Sequence, residues 1–270
     1  MNRGQLATEF RRAGIEPGEH LIVHSSLKSL GQVDGGAPTV VEALLDVLGP
    51  RGHLLMPTFT YSLTMWSREP FDRIASKSRV GAVTEALRLH PRAVRSFHPT
   101  HSVAVVGPEA EEIVRNHLHA TPIGEGSPFA RMCERGGRIL MLGTRQDTNS
   151  TLHYCEVAAA LPYVRLPFTD GQDYEVAWFL NELGQIEYTQ IFEVPGCSRG
   201  FRVVEEPLRR RGVLRDVNIG PAASQLLECQ ALVHAMRDLL AEQPSMLLCQ
   251  TESCLICPKR RAFMETHPMG

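Results

Sequence analysis

A histidine and a glutamate stand three residues apart in the stretch TLHYCE at residues 151–156. On a helix, the spacing i, i+3 places the imidazole of His153 and the carboxylate of Glu156 on one face, within reach of each other. A carboxylate in that position fixes the tautomer of the imidazole and supports its positive charge, as a general base requires. The same spacing also suits a surface ion pair on a capped helix. Cys155 points to a different face, and we expect it to be a buried thiol without a chemical role.

Asp147 stands at the start of the same predicted helix. A carboxylate at a helix start accepts hydrogen bonds from the free backbone N–H groups there. It is equally suited to face a cationic substrate. The pattern therefore allows both a capping role and a binding role for Asp147.

Two further polar stretches lie where predicted strands end or begin. Residues 24–28 end a strand and precede a glycine-containing loop at 31–36. Backbone N–H groups in such a turn, together with hydroxyl and ammonium donors, are suited to bind phosphate. Residues 96–102 hold two histidines and several hydroxyls before another strand. A polar loop that satisfies its own backbone would explain either stretch equally well.

The cysteines near the end of the chain have a spacing that suggests a metal site. Cys254 and Cys257 form a CxxC pair. Cys249 lies just upstream, and Cys197 stands in a Pro-Gly-Cys turn. Four thiolates would complete a tetrahedral structural zinc site with no open position for catalysis. Ordinary buried thiols are the alternative, whereas a redox pair is disfavoured because it normally opens a helix early in a βαβ unit.

The elements that must position these residues alternate between strand and helix over the first 162 residues. Short apolar runs predict strands, and apolar residues at helical spacing, with proline or glycine at the ends, predict helices. The predicted strands are 20–27, 53–59, 102–106 and 138–142, and the predicted helices are 39–48, 79–89, 108–117, 128–134 and 148–161. This order favours a sheet covered by helices.

The pattern changes after residue 162. Segments 175–180 and 186–192 flank a turn at 181–184 and predict an antiparallel hairpin. Residues 222–241 form the longest amphipathic stretch and predict a helix. We therefore predict an α/β fold with a central, largely parallel or mixed sheet flanked by helices, plus an antiparallel hairpin and a helix-rich C-terminal appendage. We expect one domain over residues 1–270, with its core at about 1–162 and an α+β part at 163–270.

Composition narrows the classes of function. The chain has 270 residues, of which 43% are hydrophobic and 21% charged, and its net charge is −2. This balance supports an ordinary core and provides no basic surface for nucleic acid. No apolar run approaches the ~20 residues of a membrane span, and the N-terminal stretch lacks a signal segment. Seven cysteines argue against a disulfide framework. We expect a cytoplasmic protein without nucleic-acid or membrane partners, and the sequence neither requires nor excludes an oligomer.

Five motifs resemble one known family. They are HSSLKSLG at 24–31, ALLDVLGPRGHLLMPTFT at 43–60, RSFHPTHSVAVVG at 95–107, GEGSPFARM at 124–132 and LGTRQDTNSTLHYCE at 142–156. In this order and with these intervals they resemble the aminoglycoside 3-N-acetyltransferase family. The likeness extends more weakly to CSRGF at 197–201 and to the cysteine-rich end, where members of the family often carry a comparable pair of cysteines.

The resemblance implies direct transfer of an acetyl group from acetyl-coenzyme A to the 3-amino group of the deoxystreptamine ring of an aminoglycoside. His153 would be the general base and Glu156 its support. The residues assigned to the coenzyme are His24, Ser25, Ser26, Leu27, Lys28, His98, Ser102 and Ser127, and those assigned to the amine substrate are Asp147, Tyr61 and Glu182.

Other functions stay open on the sequence. The nearest alternative is a transferase of the same fold that acetylates another amine, such as a sugar or an amino-phosphonate intermediate of a biosynthetic pathway. A more distant one is a non-catalytic, zinc-containing interaction module, which would not bind coenzyme A. A serine hydrolase is disfavoured because the chain has no GxSxG elbow.

Overall fold

The computed structural model describes residues 1–63, 67 and 69–267. The strands are β1 (His20–Ser25), β2 (His53–Pro57), β3 (Val94–Arg95), β4 (Val103–Val106), β5 (Arg138–Leu142), β6 (Glu175–Leu180), β7 (Ile186–Ile191), β8 (Leu214–Ile219) and β9 (Ala222–Glu228). The helices are α1 (Arg3–Arg12), α2 (Ala37–Leu48), α3 (Ala82–Arg88), α4 (Ala110–Val114), α5 (Pro128–Glu134), α6 (Thr151–Ala158), α7 (Glu205–Arg210), α8 (Cys229–Glu242) and α9 (Cys257–Thr266). No helix among these residues is long and apolar enough to cross a membrane.

Seven strands form one mixed sheet in the order β3-β4-β2-β1-β5-β9-β8. The central strand β1 is parallel to both of its neighbours, β2 and β5, and the other pairings are antiparallel. Strands buried on both faces consist of nearly continuous apolar residues, as β1, β2 and β5 do. The prediction of a mixed sheet with flanking helices is confirmed.

Helices cover both faces of this sheet. Alternate residues of the central strands point to opposite faces, so Leu21 and Val23 pack with α1, α2 and α3, whereas Ile22 packs with α4, α5, α6 and α8. The strands β6 and β7 form the predicted hairpin as a separate two-stranded sheet. Its strand β6 contacts the loop after β2 through bridges from Ala177 to Leu63 and from Phe179 to Phe71.

The prediction of one helix over residues 222–241 is wrong in its first third. Residues 222–228 form the strand β9, which pairs with β5 and β8, and α8 begins only at Cys229. Helical spacing of apolar residues does not by itself exclude a strand, and here pairing across the sheet decides the conformation. The strands β8 and β9 therefore extend the central sheet, although they lie in the C-terminal third of the chain.

The parallel strands bring the chemistry-bearing segments together. Because β1 and β5 run parallel, with Ser25 opposite Leu142, their carboxyl ends meet at the same edge of the sheet. The polar stretch that begins at His24 therefore lies next to the loop and helix that follow β5. The carboxyl edge of parallel strands is where α/β proteins commonly bind their ligands.

Candidate active site

A cavity of about 540 Å³ opens at the carboxyl ends of β1, β2 and β5. Its wall consists of residues from the segments 24–25, 57–61, 79–84, 147–153 and 195–198, with His101 and Ile123. Small-molecule sites in proteins are commonly ~300–1,000 Å³. Among the residues proposed for function from the sequence, five line this wall: His24, Ser25, Tyr61, Asp147 and His153. Glu156 does not line it but contacts His153.

The imidazole of His153 and the carboxylate of Glu156 form a buried pair on α6. His153 Nδ1 lies 2.6 Å from Glu156 Oε2, and the two residues are only 7% and 3% exposed. An ionised carboxylate can only accept a hydrogen bond, so Nδ1 carries a hydrogen, and in the neutral ring Nε2 then keeps its lone pair. The pair is therefore not the surface ion pair that the spacing also allowed, and its geometry suits proton abstraction.

The surroundings of Glu156 keep its carboxylate ionised. The Tyr163 hydroxyl donates to Glu156 Oε1 at 2.7 Å. Burial raises the pKa of Glu156. The charge and hydrogen bond of His153, the charge of Arg260 and the hydrogen bond from Tyr163 lower it by more, so the pKa of Glu156 is below its ordinary value. The ring of Phe201 packs edge-on against the His153 imidazole, with the ring centres 4.7 Å apart. The carboxylate is thus ionised, and both side chains of the pair are held in position.

Aromatic rings form the opposite part of the wall. The His101 ring lies 4.6 Å from Phe59 and 5.6 Å from Tyr61, both edge-on. Burial, with smaller contributions from neighbouring histidines, holds the pKa of His101 well below its ordinary value, so its ring is neutral. Burial also raises the pKa of Tyr61, whose backbone φ of 53° lies in the left-handed region. These rings provide an apolar surface beside the basic nitrogen.

The end of β1 provides polar atoms that protein contacts leave unused. The Nε2 of His24 and the hydroxyl of Ser25 are buried and have no hydrogen-bond partner in the described part of the chain. Burial lowers the pKa of His24 to about 3, so the ring stays neutral. Buried polar atoms without a partner are rare in native proteins. Since both residues line the cavity, their polar atoms are available to a ligand.

The next three residues lie outside the cavity wall. Residues 27–30 form a turn of 3-10 helix, and the Ser26 backbone N–H donates to the Leu142 carbonyl at 2.9 Å. The Leu27 side chain packs against the core on the α2 face, and Lys28 is exposed. The structure thus brings the first two residues of the 24–28 stretch to the cavity and leaves the others on the adjacent surface.

Three residues assigned to the coenzyme support the wall from behind and do not line it. His98 Nδ1 accepts from the backbone N–H groups of residues 100 and 101. Ser102 Oγ donates to the Thr58 carbonyl at 2.9 Å and accepts from Arg95. Ser127 caps the start of α5. Each is fully buried in these contacts, so direct contact with a coenzyme in the cavity stays a prediction that the geometry does not favour.

The residues assigned to the amine substrate separate into two groups. Asp147 is half-buried in the cavity wall, in the loop before α6. A buried network supports this loop, in which Asn149 donates to Gln146 and Gln146 donates to Gln225. Glu182, by contrast, is exposed in the turn of the β6–β7 hairpin and does not line the cavity.

Sequence reasoning missed Tyr163 and Arg260 as neighbours of the pair. Tyr163 follows Glu156 by seven residues, a helical spacing, but α6 ends at Ala158 and a separate turn carries the ring. Arg260 lies more than a hundred residues away along the chain. His101 was part of the 96–102 stretch but was not assigned a role. Local spacing gives no signal for such long-range contacts.

The four cysteines predicted to bind metal come together in the structure. The sulfur atoms of Cys197, Cys249, Cys254 and Cys257, the cysteine cluster, all lie within 4.8 Å of one another. The Cys197 and Cys249 sulfurs are 3.8 Å apart, which is the ~3.8 Å separation expected of thiolates bound tetrahedrally at about 2.3 Å. Burial raises the pKa of Cys254, but backbone N–H donation from residues 257 and 256 lowers it to about 7. The donor set fits zinc.

The cysteine cluster lies directly behind the cavity wall. Cys197 stands between Gly196 and Ser198, both of which line the cavity. The remaining cysteines, Cys133, Cys155 and Cys229, are buried free thiols elsewhere in the core. Burial raises the pKa of Cys155 well above its ordinary value, so this thiol is a poor nucleophile. This environment agrees with the expectation that Cys155 is a buried thiol without a chemical role.

Known proteins match the chain over most of its length. The family model described as Aminoglycoside 3-N-acetyltransferase matches residues 22–241. Aminoglycoside N(3)-acetyltransferase IV of Salmonella sp is 31% identical over 252 residues, which cover 91% of this chain and 90% of that protein. Aminoglycoside N(3)-acetyltransferase VII of Streptomyces paromomycinus is 31% identical over 260 residues, with 86% and 89% covered.

Solved structures give the same result. The aminoglycoside acetyltransferase AAC(3)-IVa apoenzyme superposes with a TM-score of 0.82 at 29% identity, covering 97% of this chain and 96% of that chain. A mutant of AAC(3)-IVa has been solved in complex with a gentamicin. AAC-IIIb, solved as a binary complex with CoASH, superposes with a TM-score of 0.78 at 28% identity, covering 90% and 97%. The chain belongs to the aminoglycoside 3-N-acetyltransferase family of enzymes.

Proposed function

We propose that the protein transfers an acetyl group from acetyl-coenzyme A to the 3-amino group of the deoxystreptamine ring of an aminoglycoside, with His153 as general base. The observation that carries this proposal is the buried 2.6 Å contact between His153 Nδ1 and Glu156 in the wall of a 540 Å³ cavity. Structures of relatives with a gentamicin and with CoASH support the two substrate classes.

The proton balance follows from the chemistry of amines. An ammonium group has no lone pair, so His153 Nε2 takes its proton and the free amine attacks the thioester carbonyl. The new C–N bond forms as the nitrogen attacks, and the C–S bond breaks as the tetrahedral intermediate collapses. The nitrogen loses its second proton and the coenzyme A thiolate takes one up, which leaves the amide and the thiol. Glu156 stabilises the imidazolium that forms on His153, and this proton leaves to solvent at the end of the cycle.

Among the described residues, the cavity wall carries one carboxylate, that of Asp147, and one guanidinium, that of Arg79. Asp147 and Tyr61 line the cavity, and we assign the carboxylate to an ammonium group and the aromatic ring to a sugar ring of the substrate. Lys28 is exposed three residues after Ser25 of the cavity wall, and we assign its ammonium group to the phosphates of the coenzyme. Glu182 lies in the exposed hairpin turn and would serve only a substrate that extends beyond the cavity.

Acetylation of an amine panel tests the proposal. Purified protein is mixed with acetyl-coenzyme A and with aminoglycosides that carry or lack the 3-amino group, and thiol release is followed. We expect release only with acceptors that carry this group, and NMR of the product to place the acetyl group on it. Release with a sugar amine or an amino-phosphonate alone would establish the alternative acceptor class. Absence of coenzyme A binding would favour the interaction module.

A second variant addresses the base. His153→Ala removes the proton acceptor, so kcat should fall by ~10²–10⁴. Binding of coenzyme A, measured by calorimetry, should persist because the thioester is bound by other residues. Cys155→Ala, two residues away on the same helix, is the matched control and should keep its turnover. Near-native turnover of His153→Ala at neutral pH would contradict the assignment.

We also propose that the cysteine cluster holds a structural zinc ion. The four sulfur atoms lie within 4.8 Å of one another, and four thiolates leave no open position for catalysis. Thiols of this kind persist in a reducing compartment, and acetyl-coenzyme A is consumed there, so we propose a cytoplasmic location.

Metal analysis tests the zinc proposal. Protein prepared without chelator should carry about one zinc per chain, since four thiolates complete one site. Cys257→Ser should lower both metal content and thermal stability, because metal binding contributes to folding. Cys133→Ala, a buried cysteine outside the cluster, should keep the metal. No stoichiometric metal in the wild-type protein would refute the proposal.

A further inference from the structure

A buried arginine lies behind the His153–Glu156 pair. Arg260 is only 3% exposed and stands on α9, one turn after Cys257 of the cysteine cluster. Its Nη2 donates to the Val194 carbonyl at 3.0 Å, and its guanidinium carbon lies 5.2 Å from the centre of the Tyr163 ring. Neither a carbonyl nor an aromatic face cancels a full positive charge.

A buried cation needs a nearby negative charge, because burial of an isolated charge is expensive. Arg260 lines a second, small cavity together with His153 and Glu156. The charge of Arg260 is one of the causes that lower the pKa of Glu156. The fields of Arg260 and His153 therefore act on the same carboxylate.

Arg260 also contacts the loop 195–198 in the wall of the 540 Å³ cavity. A Cβ atom added at Gly196 would come within 2.6 Å of Arg260 Nη1, so the backbone of this wall loop lies directly on the guanidinium. The Tyr163 ring contacts the guanidinium, and the Tyr163 hydroxyl donates a hydrogen bond to Glu156. Arg260 thus touches both the wall loop and the partner of the carboxylate.

We propose that Arg260 is a positioning residue for the catalytic pair: through Tyr163 it keeps Glu156 directed at His153, and through its charge it opposes the negative charge of Glu156 at the imidazole, and thereby sets the pH below which the base is lost. This inference rests on the proposed role of His153. Three of the four cluster cysteines and Arg260 lie beyond residue 241, where the match to the family model ends.

Removing a cation near an imidazole favours the protonated ring, and removing an anion disfavours it. The acid limb of the kcat profile should therefore move to higher pH without Arg260 and to lower pH without the charge of Glu156. Other groups face the pair and stay constant in these comparisons. His101 is neutral, Glu193 is paired with Arg165 at 3.7 Å, and Asp147 lies in the main cavity wall.

Kinetic pH profiles of Arg260→Met and Arg260→Lys test the proposal. We expect the midpoint of the acid limb of kcat to rise by roughly 0.5–1 pH unit in Arg260→Met, with little change in the KM for acetyl-coenzyme A. Arg260→Lys keeps the charge, so the midpoint of its acid limb should lie close to that of the wild type. Arg261→Met is the matched control, because Arg261 donates to the Cys249 carbonyl at 2.8 Å and holds the same helix. Arg261→Met should lower thermal stability but leave the midpoint of the acid limb of kcat unchanged.

An unshifted acid limb in Arg260→Met, or the same shift in Arg261→Met, would overturn the proposal and leave Arg260 a purely structural residue. If Arg260→Met does not fold, Arg260→Gln, which is also neutral, takes its place, and an unshifted acid limb in that variant also overturns the proposal. If the wild-type enzyme acetylates no amine, the proposed function fails separately. The midpoint of the His153 imidazole titration, followed by NMR in wild type and variant, then still measures the coupling.

Discussion

Replacing Glu156 by glutamine tests whether the carboxylate sets the tautomer of His153. In the native pair, two carboxylate oxygens face two donors, His153 Nδ1 at 2.6 Å and the Tyr163 hydroxyl at 2.7 Å. A glutamine amide offers one acceptor oxygen and one donor NH₂ group, so it cannot accept from both. If the amide oxygen stays with Tyr163, the NH₂ group faces Nδ1. The ring hydrogen must then move to Nε2, the atom that should take the proton of the amine.

The reverse orientation of the amide keeps the correct tautomer but removes the acceptor of the buried Tyr163 hydroxyl. A buried donor without an acceptor costs ~1–3 kcal/mol, which corresponds to a factor of roughly 5–150 in population. The competent orientation of Gln at position 156 is therefore a minority by this factor. Loss of the negative charge that supports the imidazolium adds to the defect, so we expect kcat to fall by ~10²–10⁴.

The double variant Glu156→Gln with Tyr163→Phe separates the two effects. Without the hydroxyl, the amide is free to turn its oxygen towards Nδ1, so the double variant should recover roughly 5–150-fold in kcat over the single variant. Tyr163→Phe alone serves as the control for lost packing and hydrogen bonding. The assay is thiol release along the acid limb, which should shift to lower pH without the carboxylate. Near-native turnover of the single variant, or no recovery in the double variant, would refute the tautomer argument.

Three other predictions follow from the cavity and the core. Ser26→Ala and Lys28→Ala should raise the KM for acetyl-coenzyme A more than the KM for the amine, and the opposite pattern would place them on the acceptor side. Asp147→Asn should raise the KM for a polycationic amine severalfold and leave that for acetyl-coenzyme A unchanged, as steady-state kinetics will show. Burial lowers the pKa of His24 to about 3 and of His117 to about 4. Their stability contribution is complete above the unfolded value of 6.5 and is lost as the pH falls, by about 2 kcal/mol for each ring at pH 5. Denaturant unfolding at pH 5 and 7.5 should show this loss, and equal stabilities would contradict it.

The sequence predicted the fold best where local pattern and tertiary environment agree. The apolar runs of β1, β2 and β5 and the helices between them have boundaries within a few residues of the prediction. In residues 222–228 the local pattern and the tertiary environment disagree: their apolar spacing suits a helix, but they form a strand because they pair with β5 and β8. The two-residue strand β3 carries too little pattern to be found from the sequence.

The candidate site divides in the same way. Spacing on one helix is sufficient to place His153 against Glu156, since helical geometry alone decides that contact. The CxxC spacing is likewise local. Placement of Tyr163 and Arg260 around the carboxylate depends on how α9 returns to the core, and no residue-to-residue spacing encodes that path. The same holds for Ser102, whose hydroxyl the β2–β4 pairing directs to a backbone carbonyl rather than to the cavity.

On the proposal for Arg260, the segment 249–267 supports the candidate active site, although none of its described residues lines the 540 Å³ cavity. With the proposed zinc bound, the cysteine cluster would hold the start of α9 and, through Cys197, the loop at 195–198 that lines the cavity. One turn further, Arg260 contacts this loop and the Tyr163 ring, and it lowers the pKa of Glu156. Glu156 is buried, so water does not solvate its negative charge. The ionised carboxylate therefore depends on partners held rigidly around it. A zinc ion bound by the cysteine cluster, as proposed above, would provide that rigidity.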